Sequence, residues 1–311
     1  MSNRTIYLNG QFLPESEAKV SVYDLGVMQA AAVFEMTRSF HGQHFKLVKH
    51  IERLRASMVA IGINDPHPRQ YEWESLCETV SSHNTLFPHH PFGDQGEEHR
   101  LLIMVSPGPA PMYREIAGSG PTVLITDFPL RYTTAGLGRQ FEHGGTAIIS
   151  SIQQVPDACV PSSAKHRSRL HFHLAQEEAK RKGADWAILL DHYGAVTECP
   201  GANIFIVSDG ILKTPAENCL KGISRATIYE LARARGIACY GKIMARNELF
   251  LADEVFVTGT PFCAISIVSI DGRQIGDGKP GPVYKALMNK WNELVGLNIA
   301  EQIIHWDLVH A

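Results

Sequence analysis

Short strand-like runs punctuated by tight turns fill both halves of this chain, with few helical stretches between them; the pattern excludes a helical solenoid and points to an α+β protein. The chain opens with Thr5-Ile6-Tyr7-Leu8, an Asn9-Gly10 turn and Gln11-Phe12-Leu13, the signature of a hairpin. Alternation over 32–40 predicts a strand, and His41-Gly42-Gln43 a turn. Val48, Ile51, Leu54, Met58 and Ile61 then recur at helical spacing, which leaves Arg53 on the helix but off its apolar stripe. A second helix is expected over 70–83, followed by a polar insertion rich in histidine and glycine at 84–99, read as an exposed loop. Strands are expected at 100–105 and 122–126.

The stretch 129–143 is poor in periodic pattern and contains Pro129, Gly136 and Gly138, which marks it as a linker. Two domains follow: a smaller N-terminal α/β domain at 1–128 and a larger C-terminal domain of mixed β structure with helices at 144–311. A chain of 311 residues is long enough to bury a core in each. In the second domain, strands are expected over 146–150, 202–207, 211–214, 239–244, 254–257 and 264–270. Helices are expected over 170–182, from Gly222 to about Arg235, and finally over 282–294.

Hydrophobic residues make up 44% of the chain and charged residues 20%, the balance of a soluble globular protein. The net charge of −3 draws the whole chain to neither nucleic acid nor an acidic membrane. Six cysteines, at 77, 159, 199, 219, 239 and 263, are too widely and irregularly spaced for a zinc ribbon, a CxxC pair or a compact disulfide framework. Reduced, buried thiols and no metal set are expected. The N-terminus enters a strand pattern without an apolar signal segment, and no run approaches the roughly 18 apolar residues of a spanning helix. A cytoplasmic enzyme fits these features, and so does a binding protein.

Chemistry enters with four features of the C-terminal half. Lys165 stands in Ser162-Ser163-Ala164-Lys165-His166-Arg167-Ser168-Arg169, just before a helix. Alone it would be an ordinary solvated charge, but a helix start and neighbouring cations favour its neutral form, which an aldehyde cofactor needs. The same amine can then carry a proton. Glu198, ordinarily a turn residue, would keep a pyridine nitrogen protonated, with Asn203 orienting the loop or simply shaping a turn. Gly222-Ile223-Ser224 opens a helix, with Ser224 as its candidate N-cap and free amides as an anion site. Thr258-Gly259-Thr260 offers close backbone approach and hydroxyls for the same phosphate, and neither segment has the length or lysine of a Walker A loop. Together they read as a pyridoxal 5'-phosphate (PLP) site, with Arg53 as a natural charge partner for the phosphate, unless it is merely solvated.

At this point the chain resembles the fold-type IV, class-IV PLP aminotransferases, the superfamily of branched-chain and D-amino-acid aminotransferases and aminodeoxychorismate lyase. The resemblance runs through Tyr23-Asp24-Leu25-Gly26, Phe34-Glu35-Met36-Thr37-Arg38, His50-Ile51-Glu52-Arg53-Leu54, 191–198 and 215–225. It implies Lys165 as the imine-forming lysine, Glu198 as partner of the pyridine nitrogen, and Arg53, Ile223, Ser224, Gly259 and Thr260 as phosphate ligands. Phe34, Met36, Arg38 and Arg100 are implied as pocket walls, with either arginine able to meet a substrate carboxylate or to serve a structural ion pair. The implied reaction is transamination between an amino acid of the branched-chain or D-amino-acid class and a 2-oxo acid, in a homodimer. The alternatives are aminodeoxychorismate lyase activity and a catalytically silent binding or scaffold protein.

The chain also departs from the family pattern. Alanines fill the Ala30-Ala31-Ala32 turn where glycines are usual, and Ser168 and Arg169 stand where an asparagine is usual. Leu170 replaces the tyrosine of branched-chain enzymes, which leans toward the D-amino-acid or lyase branches. Met36 replaces the lyase's threonine, which leans back to transamination. The Pro261-Phe262-Cys263-Ala264 loop lacks the usual acidic residue.

Overall fold

The computed structural model describes residues 4–85 and 98–310, so most of the expected 84–99 insertion lies outside the described residues. The chain divides into two compact units, one reaching Tyr132 and including Ala164–Ser168, the other formed by Thr133–Ser163 and the chain from Arg169 onward. The pentapeptide around Lys165 therefore packs with the first unit, although it follows the start of the second in sequence.

The first unit is built on an antiparallel sheet ordered β2-β1-β5-β4-β3, where β1 is Thr5–Leu8, β2 Gln11–Pro14, β3 Val33–Met36, β4 His99–Ser106 and β5 Thr122–Pro129. The first two strands are the predicted hairpin. One face of the sheet packs on α1 (Leu47–Ala60) and α2 (Gln70–Thr85). Ile51, Leu54 and Met58 of α1 are buried there with Trp73, Cys77, Leu101, Ile103 and Val105. Full burial of each large apolar side chain contributes roughly 1.5–3 kcal/mol, which fixes the helix against the sheet. Beside the apolar stripe, His50, Arg53 and Ser57 follow one another at intervals of three and four and form a polar line on the same helix.

The strand predicted over 32–40 breaks after Met36. Thr37 N still donates to Leu101 O at 3.0 Å, but Ser39–Phe40 leaves to pair with Gln43–His44, so the turn predicted over 41–43 tightens to its first two residues. The stretch 129–143 contains buried Leu130 and two short helices, Arg131–Thr134 and Gly138–His143.

The second unit has a mixed sheet ordered β11-β10-β9-β12-β13-β6-β7. These strands are β6 Gly145–Ile149, β7 Trp186–Ile188, β9 Ala202–Ser208, β10 Ile211–Pro215, β11 Cys239–Lys242, β12 Glu254–Gly259 and β13 Cys263–Ile270. β8 (Glu198–Cys199) pairs with β9, and β14 (Arg273–Gln274) with β13. The pairs β10/β11, β6/β13 and β6/β7 are parallel and the others antiparallel. Buried β9 and β12 have few polar side chains and lie at the sheet's centre, as near-continuous apolar runs must. The helices are α3 (Leu170–Arg181), α4 (Ile223–Ala234), α5 (Pro282–Val295) and α6 (Ile299–His310). The helix expected to end the chain, α5, is thus followed by another. Asn298 Oδ1 accepts from Glu301 N at 3.3 Å at its start, and the Asn298-x-x-Glu301 spacing was a legible start signal.

Candidate active site

The lysine is placed by strand-like pairing within the first unit. Phe34 N donates to Lys165 O at 2.9 Å, Arg167 N donates to Ala32 O at 2.8 Å, and Val33 and His166 form a bridge between them. Ala164–Ser168 is therefore a short edge along β3. Alternation puts Lys165 and Arg167 on the face of Phe34, away from the core that holds Val33. The contacts agree: Lys165 Nζ lies 4.6 Å and Arg167 Cζ 4.1 Å from the Phe34 ring centroid. Lys165 N also donates to Ser57 Oγ at 3.0 Å, and Ser57 Oγ donates to Arg53 O at 2.8 Å, so the lysine backbone is tied to α1.

Met36 and Arg100 share this face, with Arg100 Nη2 3.3 Å from Met36 Sδ. Burial, followed by the charge of Arg167, pushes Arg100 down to about 10, and it keeps its charge at neutral pH. Among the described residues its buried Nε has no hydrogen-bond acceptor. Arg38, the other expected wall residue, is instead fully buried with its guanidinium 3.9 Å over Phe40 and its Nε donating to Ser39 O at 3.3 Å. The structure thus brings Phe34, Met36, Arg100 and Lys165 together and packs Arg38 on Phe40.

Arg53 is held by a residue that had been given no role. Glu35, on the core face of β3, accepts from Arg53 Nε at 2.6 Å and Nη2 at 2.8 Å, and shares a 2.7 Å hydrogen bond with His50 Nδ1. Burial by itself would raise the Glu35 carboxyl, but Arg53 and then His50 outweigh it and hold the group at about 2. His50 is lowered, first by burial, against the pull of Glu35.

In the second unit the sheet register gathers the remaining residues. Glu198 pairs with Asn203, and Asn203 with Thr258 on the next strand. Buried Glu198 accepts from Gln154 Nε2 at 3.0 Å and Leu220 N at 3.2 Å, with Asn203 Nδ2 at 3.4 Å. Arg169, whose guanidinium is pulled down by burial and supported by the charge of Glu198, stacks 4.6 Å from Phe172. Leu170 is 69% exposed.

Ser224 is not the N-cap of α4. Gly222 is, in an extended conformation and with no side-chain cap, which leaves the first amides of Ile223 and Ser224 at a bare helix start. Thr258 also differs from expectation: its hydroxyl is buried and donates to Cys263 O at 2.5 Å. Half-buried Thr260 is the hydroxyl left at that turn. At Gly259 a Cβ would stand 2.7 Å from Phe262 and 3.1 Å from Gly201 O, so a side chain there would fill the close approach. All six cysteines are free; Cys77, Cys199, Cys219 and Cys263 are buried as expected, whereas Cys159 is exposed.

A buried carboxylate fixed by three donors, a helix start with bare amides and a glycine-lined turn form a donor set that fits the pyridine and phosphate of PLP. Sequence reasoning missed Gln154, which holds Glu198 in the second unit, and Glu35 and Ser57, which hold Arg53 and the Lys165 backbone in the first.

The amino-transferase class IV family model matches residues 32–270. The putative branched-chain-amino-acid aminotransferase of Methanocaldococcus jannaschii is 33% identical over 291 residues, 93% of this chain and 96% of that protein. The Escherichia coli branched-chain amino acid aminotransferase structure matches with a TM-score of 0.82 at 29% identity, over 95% of each chain. A second solved branched-chain amino acid aminotransferase, complexed with N-(5'-phosphopyridoxyl)-L-glutamate, matches with a TM-score of 0.81 at 26% identity, also over 95% of each. Most of the chain is covered in sequence and in fold, and it belongs to the class IV aminotransferases, enzymes that depend on PLP.

Proposed function

We propose that the chain transfers an amino group between an amino acid of the branched-chain class and a 2-oxo acid, with Lys165 as the catalytic amine. The observation that carries this reading is the single sheet face holding Lys165, Arg167, Phe34, Met36 and Arg100. Phe34 and Met36 offer apolar surface to a side chain, and half-buried Arg100 offers a charge to a carboxylate. The relatives' names support the branched-chain class.

PLP would be held by Arg53, Lys165, Glu198, Ile223, Ser224, Gly259 and Thr260, and would supply an electrophilic carbonyl and an electron-withdrawing ring. Lys165 Nζ takes the proton from the substrate's α-carbon and returns it on the acceptor side. Glu198 would hold the proton on the pyridine nitrogen, and its buried donors fix the orientation of the carboxylate. Arg53, oriented by Glu35, and the amides of Ile223 and Ser224 would be the phosphate's donors.

A D-amino-acid reading is kept by Leu170, which stands where branched-chain enzymes carry a tyrosine, and the lyase reading is disfavoured by Met36. Among the described residues no helix is long and apolar enough to cross a membrane. We place the enzyme in the cytoplasm as a homodimer, which sedimentation would test. Turnover with L-leucine, L-valine, D-alanine and D-glutamate, each with 2-oxoglutarate, discriminates the substrate classes. Activity confined to D-amino acids, or pyruvate release from aminodeoxychorismate without an acceptor, would overturn the proposal, and binding of PLP without turnover of any substrate would return the silent-protein reading.

A further inference from the structure

Asn203 touches both ends of the second unit's cofactor half. Its Nδ2 donates to Leu220 O at 2.8 Å and lies 3.4 Å from Glu198 Oε2. Leu220 N donates to the same carboxylate oxygen at 3.2 Å, and Leu220 O accepts from Gly222 N at 2.9 Å. Gly222 is the N-cap of α4, and a Cβ there would overlap Asn203 Oδ1. Asn203 is buried, short and bonded, so this oxygen has no easy retreat. The loop is gripped again at Asn218, whose carbonyl accepts from Gln154 Nε2 at 3.2 Å while the same amide donates to Glu198 Oε1 at 3.0 Å. One set of buried hydrogen bonds thus runs from the acidic carboxylate to the helix start.

We propose that Asn203 is a positioning residue that couples the carboxylate at the pyridine end to the helix start at the phosphate end, so that displacing either one displaces the other. The proposal rests on the site reading above. A buried network with every member satisfied is rigid, and removing one member leaves costly unpaired groups rather than a soft joint. Coupling of this kind is reciprocal: a change at the phosphate end must be felt at the ring, and the reverse.

Two readouts test it. Inorganic phosphate, which has no ring, is titrated calorimetrically into the full chain freed of cofactor; the visible absorbance of the PLP-loaded enzyme is titrated against pH. Asn203→Ala is expected to weaken phosphate binding about tenfold, although its side chain contacts the helix start only through Leu220 and Gly222. Gly222→Ala is expected to move the midpoint of the absorbance titration by about half a pH unit or more, although it lies at the phosphate end. In Asn203→Ala/Gly222→Ala the overlap is gone, so phosphate affinity should recover above that of Gly222→Ala alone. Should Asn203→Ala fail to fold, Asn203→Ser, shorter and uncharged, is expected to weaken phosphate binding in the same direction. Phosphate affinity within about twofold of the parent in a folded Asn203 variant, or strictly additive losses in the double variant, would overturn the coupling. After borohydride reduction of the PLP-loaded enzyme, a cofactor adduct mapped to Lys165 together with such an unaltered phosphate affinity refutes the coupling and spares the site reading; an adduct absent from Lys165 refutes the site reading instead.

Discussion

Replacing Glu35 by glutamine should expose how much of the first unit's stability depends on one buried carboxylate. Glu35 has no exposed surface, meets Arg53 through two hydrogen bonds of 2.6 and 2.8 Å, and shares a third with His50 at 2.7 Å. Its carboxyl falls from 4.5 to about 2 on folding, and (4.5 − 2) × 1.36 gives about 3 kcal/mol of linked stability. Because the folded value is depressed, this stability is fully present above the unfolded value near 4.5 and is lost as pH falls through about 2. Glu35→Gln should therefore lower unfolding free energy at pH 7 by about 3 kcal/mol, the lower end of the cost of breaking a buried ion pair. Urea titrations of parent and variant from pH 7 down to about pH 2.5 provide the assay. The gap should hold above pH 5 and narrow below 4.5. A gap below about 1 kcal/mol at pH 7, or one that does not narrow with acid, would refute the reasoning.

Three further outcomes follow from the same geometry. Ser57→Ala removes the acceptor for Lys165 N and should cost about 1 kcal/mol of stability and lower kcat several-fold; an unchanged kcat would show that this tie does not position the lysine. Gly259→Ala would drive a methyl group against Phe262 and Gly201 O, and should raise the PLP dissociation constant about tenfold in an equilibrium titration; unchanged affinity would mean that the turn yields freely. Burial pushes the Cys219 thiol up to about 11 and that of Cys239 to about 12, whereas Cys159 is exposed. A thiol reagent at pH 8 should therefore modify Cys159 first, and Cys159→Ser should abolish the fast phase; fast labelling of another cysteine would contradict the burial.

What the sequence disclosed depended on whether a feature was local. Helix α1 was legible because its apolar spacing and its packing agree along a single segment, and β1–β2 because Asn9-Gly10 encodes the turn itself. The sequence extends strand β3 too far because alternation continues past Met36, and only the pairing of Ser39–Phe40 with Gln43–His44 shows where the chain leaves the sheet. Ser224 invites an N-cap reading, but the helix already begins at Ile223, so the N-cap is Gly222, where Asn203 Oδ1 leaves no room for a Cβ. The supporting residues were hidden for a similar reason. Glu35 reaches Arg53 across 18 positions, Gln154 reaches Glu198 across 44, and Ser57 reaches Lys165 across 108, distances over which no sequence period reports a contact. Lys165 and Glu198 stand out only by their order along the chain; the neighbours that hold each of them are a product of the fold.

The central claim is that Lys165 carries the cofactor. Purified protein incubated with PLP, reduced with borohydride, digested and mapped by mass spectrometry tests it most directly. The account predicts a phosphopyridoxyl label on Lys165, lost together with the visible absorbance band in Lys165→Ala. A label on a different lysine, or an unaltered band in that variant, would contradict it.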